Sequence, residues 1–220
     1  MTTPEIFSNA NVESPSPLSI WRVWMMLFRP SKENYEAVRS DPRAKATRAI
    51  AWLLIASTIF QIAQAVVITR IINEVPAYRL PEQLRNWNSS FVVCNVFINW
   101  ALLVVLLGVV TFIYHLLARV LGGRGEYTSF FYIIGMVFIP LYLLQAMFLL
   151  ATFSPSVALI IGILNFILSI YSSVLLGYAL YAVYQLSLVK IFLLVVVLPL
   201  LIIFFIAQSD VTVIRQLVPL

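Results

Sequence analysis

The sequence predicts an all-α, polytopic membrane protein with five transmembrane helices and an N-terminal interfacial amphipathic helix. Residues 127–189 contain no Asp, Glu, Lys or Arg, which is enough chain for two spans of about 20 residues with a turn between them. A charge at the bilayer centre would cost about 2.5–3.5 kcal/mol. The whole chain of 220 residues is 62% hydrophobic and 10% charged, so one membrane domain accounts for most of it.

The N-terminal region divides into two parts. Residues 1–16 are polar and are expected to be disordered, because they bury too little apolar surface to offset the cost of ordering. Residues 17–46 form a cytoplasmic amphipathic and charged segment. One helical face there carries Trp21, Trp24, Met25 and Phe28, and the helix stops at Pro30. Arg22 and Arg29 lie off that face, so we expect these aromatic and basic side chains to lie in the headgroup layer. The alternative is a helix packed on another protein segment.

A second, charged helix is predicted over 31–40. Asp41 then resembles a helix N-cap and Pro42 a first helical residue, from which a helix should run into the membrane.

The five-helix transmembrane domain is predicted over residues 47–207. Its spans are expected at about 49–72, 91–118, 128–152, 156–184 and 189–207, with a polar loop at 73–90 and a short exported tail at 208–220. Gly122 and Gly123 are suited to end the second span. Pro140 and Pro199 lie inside the third and fifth spans, where they permit kinks.

The distribution of Lys and Arg predicts the orientation. Ten of the 14 cationic residues fall on the side of the N-terminus and four on the other side. The positive-inside rule therefore gives a cytoplasmic N-terminus and an exported C-terminus. The net charge of +5 is interpreted as Lys and Arg residues next to the membrane that face anionic lipid. No nucleic-acid partner is expected.

No catalytic signature is present, and we expect neither an enzyme nor a cofactor. None of the nine acidic residues lies at the middle of a predicted span, where a proton relay would place one. His115 is the sole histidine and is interpreted as an interfacial anchor or helix-end cation. Cys94 is alone and is interpreted as a small buried hydrophobe, so no metal site is predicted.

Polar residues recur within the spans and have two interpretations. They could pack helices together through hydrogen bonds and small side chains, or line a substrate path of a small permease. The residues concerned are Gln61, Gln64, Asn95, Asn99, Asn165, Ser169, Ser173 and Gly177.

The loop after the second span is glycine-rich and basic. Its residues Arg119, Gly122, Gly123, Arg124 and Gly125 could form a backbone nest for a phosphate or lipid headgroup, or contact a partner. A tight turn is the alternative.

The order of several short motifs resembles the Yip-type family of five-span membrane proteins, which is named for interaction with Ypt/Rab GTPases. The motifs are Leu27-Phe28-Arg29-Pro30, the 117–127 loop, Ile139-Pro140-Leu141, Gly177-Tyr178 and Val189-Lys190. The resemblance covers about residues 20–207 and is greatest to bacterial members. It implies a five-helix domain without known catalysis. Its eukaryotic members act in vesicle traffic, but their Asp-Leu-Tyr-Gly-Pro sequence is missing here before the first span.

We therefore expect a non-enzymatic protein-interaction or membrane-organising module. Its expected partners are the lipid bilayer and other membrane proteins or a second copy, with a small GTPase only if the eukaryotic role carries over. A bacterial plasma membrane is expected rather than ER or Golgi. The alternative function is a permease or transporter component.

Overall fold

The computed structural model describes residues 17–74, 89–151 and 155–200. Helices and loops make up these residues, which contain no strand, so the all-α prediction is confirmed for the part described. The predictions for residues 1–16, for most of the 73–90 loop, for the end of the fifth span and for the 208–220 tail lie outside the described residues.

Two short helices come first, α1 (Ile20–Leu27) and α2 (Lys32–Arg39). The long helices that follow are α3 (Ala46–Glu74), α4 (Ser89–Val120), α5 (Tyr127–Ala151) and α6 (Pro155–Tyr184). The last described helix is α7 (Leu188–Leu200). By length and composition α3, α4, α5 and α6 could each cross a membrane. The described part of α7 is about 20 Å long, which is less than a span. The described residues thus contain four of the five predicted spans.

The helix α5 forms the centre of the bundle. In its most apolar window 44% of the residues are buried, against 11% in α4 and α6, which expose many large aliphatic side chains. Every residue from Phe130 to Val137 is buried, so this half of α5 is surrounded by protein. Gly135 permits a close approach to α3, because a Cβ there would lie 2.9 Å from the Cβ of Ala49.

The bundle has two ends. The N-terminal end of the bundle contains α1, α2, the first residues of α3, α5 and α7, and the last residues of α4 and α6. The opposite end contains the last residues of α3 and α5 and the first residues of α4 and α6.

Both prolines lie within described helices. The helix α5 continues through Pro140 to Ala151. In α7 the residues Leu193–Val197 form a π-helical turn just before Pro199. A proline ring collides with the carbonyl four residues earlier, and a widened turn relieves that collision.

Candidate interaction site at the N-terminal end of the bundle

The helix α1 has two apolar faces, not one. Val23 and Leu27 are fully buried against the bundle, whereas Trp21 is 64% exposed and Met25 46% exposed. The side chain of Ser19 caps the helix by accepting the backbone N–H of Arg22 at 3.3 Å. The outward side therefore carries apolar and basic groups together. We call it the aromatic-basic face, and it consists of Trp21, Arg22, Met25 and Arg29.

Trp24 and Phe28 correct the predicted face, since both are half-buried against protein instead of facing outward with Trp21. The ring of Trp24 meets that of Trp52 in α3 edge-on, with centroids 6.1 Å apart. The ring of Phe28 lies 6.0 Å from that of Tyr171 in α6, whose hydroxyl donates to the Phe28 carbonyl at 2.5 Å. The helix α1 has apolar residues on nearly every side, so its contacts with the bundle determine which of them face inward.

Tyr35 fastens α2 to α6. Its side chain is fully buried, and its hydroxyl bonds to the carbonyls of Leu27 at 3.1 Å and Leu175 at 3.3 Å. Burial raises the pKa of this hydroxyl well above its usual range. The α1–α2 corner is thus held to the middle turns of α6 by the hydroxyl bonds of Tyr35 and Tyr171.

The start of α3 differs from the prediction. The helix begins at Ala46, not directly after Asp41-Pro42, because Asp41 is engaged in a turn and an ion pair. One carboxylate oxygen accepts the N–H of Arg43 at 2.9 Å, and the other pairs with Arg48 at 3.1 Å. Arg48 also donates to the carbonyl of Leu18 at 3.1 Å. The Asp41 carboxylate is fully buried, so this pair ties the chain before α1 to the first turn of α3.

The glycine-rich loop is a helix-terminating turn. Gly122 has φ +90°, which favours glycine, and the N–H groups of Gly122 and Gly123 donate to the carbonyls of Arg119 and Ala118 at 2.9 and 2.8 Å. This is the bonding pattern of a Schellman motif. The N–H of Arg124 donates to the Tyr184 carbonyl at 3.4 Å. Because these three amides have partners, the structure favours the tight turn over a nest that would use them.

Two of these glycines also allow the loop to pack against the end of α6. A Cβ on Gly123 would lie 2.8 Å from the Cβ of Tyr184. A Cβ on Gly125 would meet the backbone oxygen and the Cγ1 of Val183. The turn is therefore pressed onto α6, while the side chains of Arg119 and Arg124 remain exposed.

Lys190 and His115 add contacts that the sequence did not reveal. The Nζ of Lys190 donates to the Leu121 carbonyl at 2.6 Å, which joins the start of α7 to the end of α4. The Nδ1 of His115 lies 2.7 Å from the hydroxyl of Tyr184, so His115 pairs with a residue of α6. Sequence spacing gives no signal for either pair, since their members are 69 residues apart.

The polar residues of α3 and α4 are only partly brought together. The side-chain amide of Asn99 donates to that of Gln61 at 3.3 Å, and Gln61 donates to Ser57 at 3.1 Å. These groups form a polar seam between α3 and α4, which packing would explain. Gln64 is exposed, and Asn95 is half-buried.

The predicted stripe on α6 does not face one partner. Gly177 approaches α7, where a Cβ would lie 3.3 Å from Ile191 Cγ2. Asn165 and Ser169 are exposed at a cleft between α5 and α6, remote from Gly177 along the helix. Ser173 donates to the Ser169 carbonyl at 3.2 Å within its own helix. Cys94 is exposed, contrary to its interpretation as a buried hydrophobe.

The described residues contain no group of three His, Cys, Asp or Glu side chains that could hold a metal ion. At this end the described residues present a helix anchored at several points, two exposed arginines at or beside a tight turn, and several backbone carbonyls that accept bonds from neighbouring helices.

Four apolar helices of spanning length and a helical cap at one end define a multi-pass integral membrane protein. The family model of the Yip1 domain matches residues 24–208, which is most of the chain. The chain therefore belongs to the Yip1 domain family, and the family resemblance drawn from the sequence is confirmed. No curated protein and no solved structure matches the chain.

Proposed function

We propose that this member of the Yip1 family is a non-enzymatic protein-interaction or membrane-organising module that works through the aromatic-basic face of α1. The observation that carries the proposal is the exposure of Trp21 and Met25 on a helix whose other side is completely buried. Large exposed apolar side chains next to arginines suit a membrane interface, where the rings enter the headgroup layer and the guanidinium groups meet phosphates.

The depth of Trp24 along the bundle supports a place in that layer. Trp52, which contacts Trp24, lies six residues into α3, or about 9 Å along the helix. Tyr171, which bonds to Phe28, lies 13 residues before the end of α6, or about 20 Å along it. Trp24 therefore lies beside the spans at a level where tryptophan is enriched in membrane proteins, whereas Phe28 reaches the middle turns of α6.

The anchoring of α1 favours a preformed contact surface. The Trp24–Trp52 contact, the Tyr35 hydroxyl bonds and the Asp41–Arg48 pair hold the segment at three separate points. A surface that is already ordered loses less conformational entropy when a partner binds. The partners proposed are the lipid bilayer and other membrane proteins or a second copy. A small GTPase is added only if the eukaryotic family role carries over.

The orientation and the fifth span belong to the same proposal. Ten cationic residues lie at the N-terminal end of the bundle, in α1, in α2, in the connecting segments and at the ends of the long helices there. Their position supports a cytoplasmic location for that end and an exported C-terminus. Continuing α7 over the apolar sequence to residue 207 would give 20 residues from Leu188, which is the length of a span. A bacterial plasma membrane is proposed as the host membrane.

The alternative function, a small permease, needs a continuous polar path. Gln61 and Asn99 bond to each other between α3 and α4, whereas Asn165 lies at a cleft between α5 and α6. These two polar sites are on different pairs of helices, which is why we favour the interaction role.

The position of α1 can be tested on the full chain in liposomes. Nitroxide labels are attached, in a Cys94→Ser background, to Met25→Cys and to the matched control Glu36→Cys of α2. Each label reports its collisions with oxygen, which is enriched in lipid, and with a water-soluble nickel complex. The proposal expects the label at 25 to favour oxygen and the label at 36 to favour nickel. Equal oxygen-to-nickel accessibility ratios at the two sites would contradict the interfacial role of α1.

The interaction role needs a second experiment in native membranes. A photo-crosslinking amino acid at Trp21 should give discrete adducts with a membrane protein or a second copy. The same group at Phe166, 68% exposed on the lipid side of α6, is the control and should give lipid adducts only. Solute flux through the purified protein in liposomes, lost on Asn165→Leu with helicity intact, would instead establish the permease.

A further inference from the structure

A cleft of about 490 Å³ lies between α5 and α6, with one wall from α3, in the half of the bundle away from α1. Its lining combines polar and apolar side chains. The polar ones are Tyr142, Gln145, Asn165, Ser169 and Ser172, and the apolar ones include Phe60, Leu141 and Leu168. No lining residue carries a charge.

The cleft lies where one face of α6 changes from packing against the bundle to being open. Leu168, Ser172, Leu175 and Ala179 follow one another at intervals of three or four residues, so they share a face. Leu175 and Ala179 are fully buried against the bundle, whereas Leu168 and Ser172 line the cleft. This face of α6 is thus buried against the bundle near the N-terminal end and lines the cleft further along the helix. In α5 the change from complete to partial burial falls close to Pro140.

The polar side chains of the cleft are spread along α5 and α6, from the end of the bundle opposite α1 toward the middle of these helices. Gln145 lies six residues from the end of α5, about 9 Å along the axis. Asn165 lies ten residues into α6 and Ser172 lies 17, which are about 15 and 25 Å. A hydrocarbon core of about 30 Å centred on α6, which is about 45 Å long, would contain both Asn165 and Ser172.

The two amides at this depth are not satisfied within the described part of the chain. Gln145 and Asn165 are exposed, and neither bonds to another described residue, whereas Ser172 donates to the Ser169 carbonyl at 2.7 Å. An amide left in hydrocarbon without a partner is costly. A ligand that offers hydrogen-bonding groups at this depth would relieve that cost.

We propose that the cleft binds an uncharged lipid that carries hydroxyl or carbonyl groups, such as a diacylglycerol. The amides of Gln145 and Asn165 both donate and accept, so they suit hydroxyl and ester groups, and Phe60, Leu141 and Leu168 suit an acyl chain. A phospholipid is disfavoured because its charged phosphate would meet no cation in the lining.

The last described helix does not compete for this cleft. The helix α7 packs on the other face of α6, where Gly177 approaches Ile191 and where Ile170 and Val174 line a separate groove with Val195. A lipid entering from the bilayer therefore meets the cleft without displacing α7.

The test uses the full chain in nanodiscs with a diacylglycerol bearing a diazirine in its acyl chain, and a phosphatidylglycerol with the same diazirine as the comparison probe. We expect labelling of α5 and α6 by the neutral probe, competed by unlabelled diacylglycerol. Gln145→Leu and Asn165→Leu should each reduce it about three- to tenfold, as expected for the loss of one or two hydrogen bonds. Gln64→Leu removes an exposed amide outside the cleft and should change nothing.

A second variant and a second measurement keep the test decisive. Ser169→Phe should fill the cleft and abolish labelling while circular dichroism shows intact helices. Equal labelling of wild type and all cleft variants, or equal use of both probes, would overturn the proposal. In a Cys94→Ser background, efficient disulfide formation between two copies of an Asn165→Cys variant in the membrane would overturn it too, because the cleft would then be a seam between subunits.

Discussion

Replacing Gly125 by alanine should destabilise the fold, whereas the same replacement at Gly162 should not. A Cβ on Gly125 would collide with the Val183 backbone oxygen and would lie 2.6 Å from Val183 Cγ1 and 2.8 Å from Tyr184 Cδ1. A Cβ on Gly162 would have no described heavy atom within 4 Å. The two variants add the same methyl group, so their difference isolates the packing of the 121–126 turn on α6.

The size of the difference follows from which atoms can move. Overpacking costs about 1–3 kcal/mol and sometimes more. The upper part of that range is expected at Gly125, because a backbone oxygen within α6 cannot rotate away and the Tyr184 hydroxyl is tied to His115. Alanine is favoured over glycine inside a helix by about 0.5–1 kcal/mol, so Gly162→Ala should be neutral or stabilising. The two variants should differ by about 2–4 kcal/mol.

The assay is unfolding of the purified full chain in mixed micelles by increasing SDS, followed by circular dichroism. The midpoint should fall for Gly125→Ala and stay or rise for Gly162→Ala. Gly123→Ala should also lower it, since a Cβ there would lie 2.9 Å from the Ala118 carbonyl oxygen. If Gly125→Ala is as stable as Gly162→Ala, the turn is not packed on α6, and the nest for a headgroup becomes the better interpretation of these glycines.

Removing one partner of the buried Asp41–Arg48 pair should cost up to about 3–5 kcal/mol. A double-mutant cycle of Asp41→Ala and Arg48→Met should show losses smaller than additive, and additive losses would contradict the pairing. Tyr35→Phe should cost about 1 kcal/mol. Burial raises the pKa of Tyr35 in the folded state, so its stabilising effect is complete below the unfolded pKa of about 10 and is lost above it. The variant should lack that loss, and identical stability–pH curves would refute the argument. Gln61→Leu and Asn99→Leu should be coupled by about 0.6 kcal/mol in the same unfolding assay, and zero coupling would argue against the amide bond between them.

Much of the architecture could be predicted from the sequence because a bilayer imposes simple rules. Stretches without charge, bounded by Arg48, by the 122–126 loop and by Lys190, are where the structure has its long helices. The bounds differ by a few residues, as with α3, which runs over 46–74 where 49–72 was predicted. The helix stop at Gly122 was also readable, since glycine tolerates positive φ.

The errors arose where distant parts of the chain meet. Asp41 had the sequence context of an N-cap, but its carboxylate found Arg48 and the N–H of Arg43, so the helix began later. On α1 the spacing of Trp24 and Phe28 was correct for one face, yet Val23 and Leu27 have equally helical spacing on another. When a helix is apolar on both sides, its outward face can be predicted only if the neighbouring helices are known.

The two ends of the bundle meet the same physical requirement in different ways. Polar groups that face lipid need partners. At the N-terminal end of the bundle the partners come from the chain, as when Tyr35 bonds to the Leu175 carbonyl and Lys190 to that of Leu121. Toward the opposite end the amides of Gln145 and Asn165 have no described partner, which is why we propose a ligand there and a preformed contact face at the first end. The helix α6 joins the two, since Tyr171 holds the α1–α2 corner and the next residue lines the cleft.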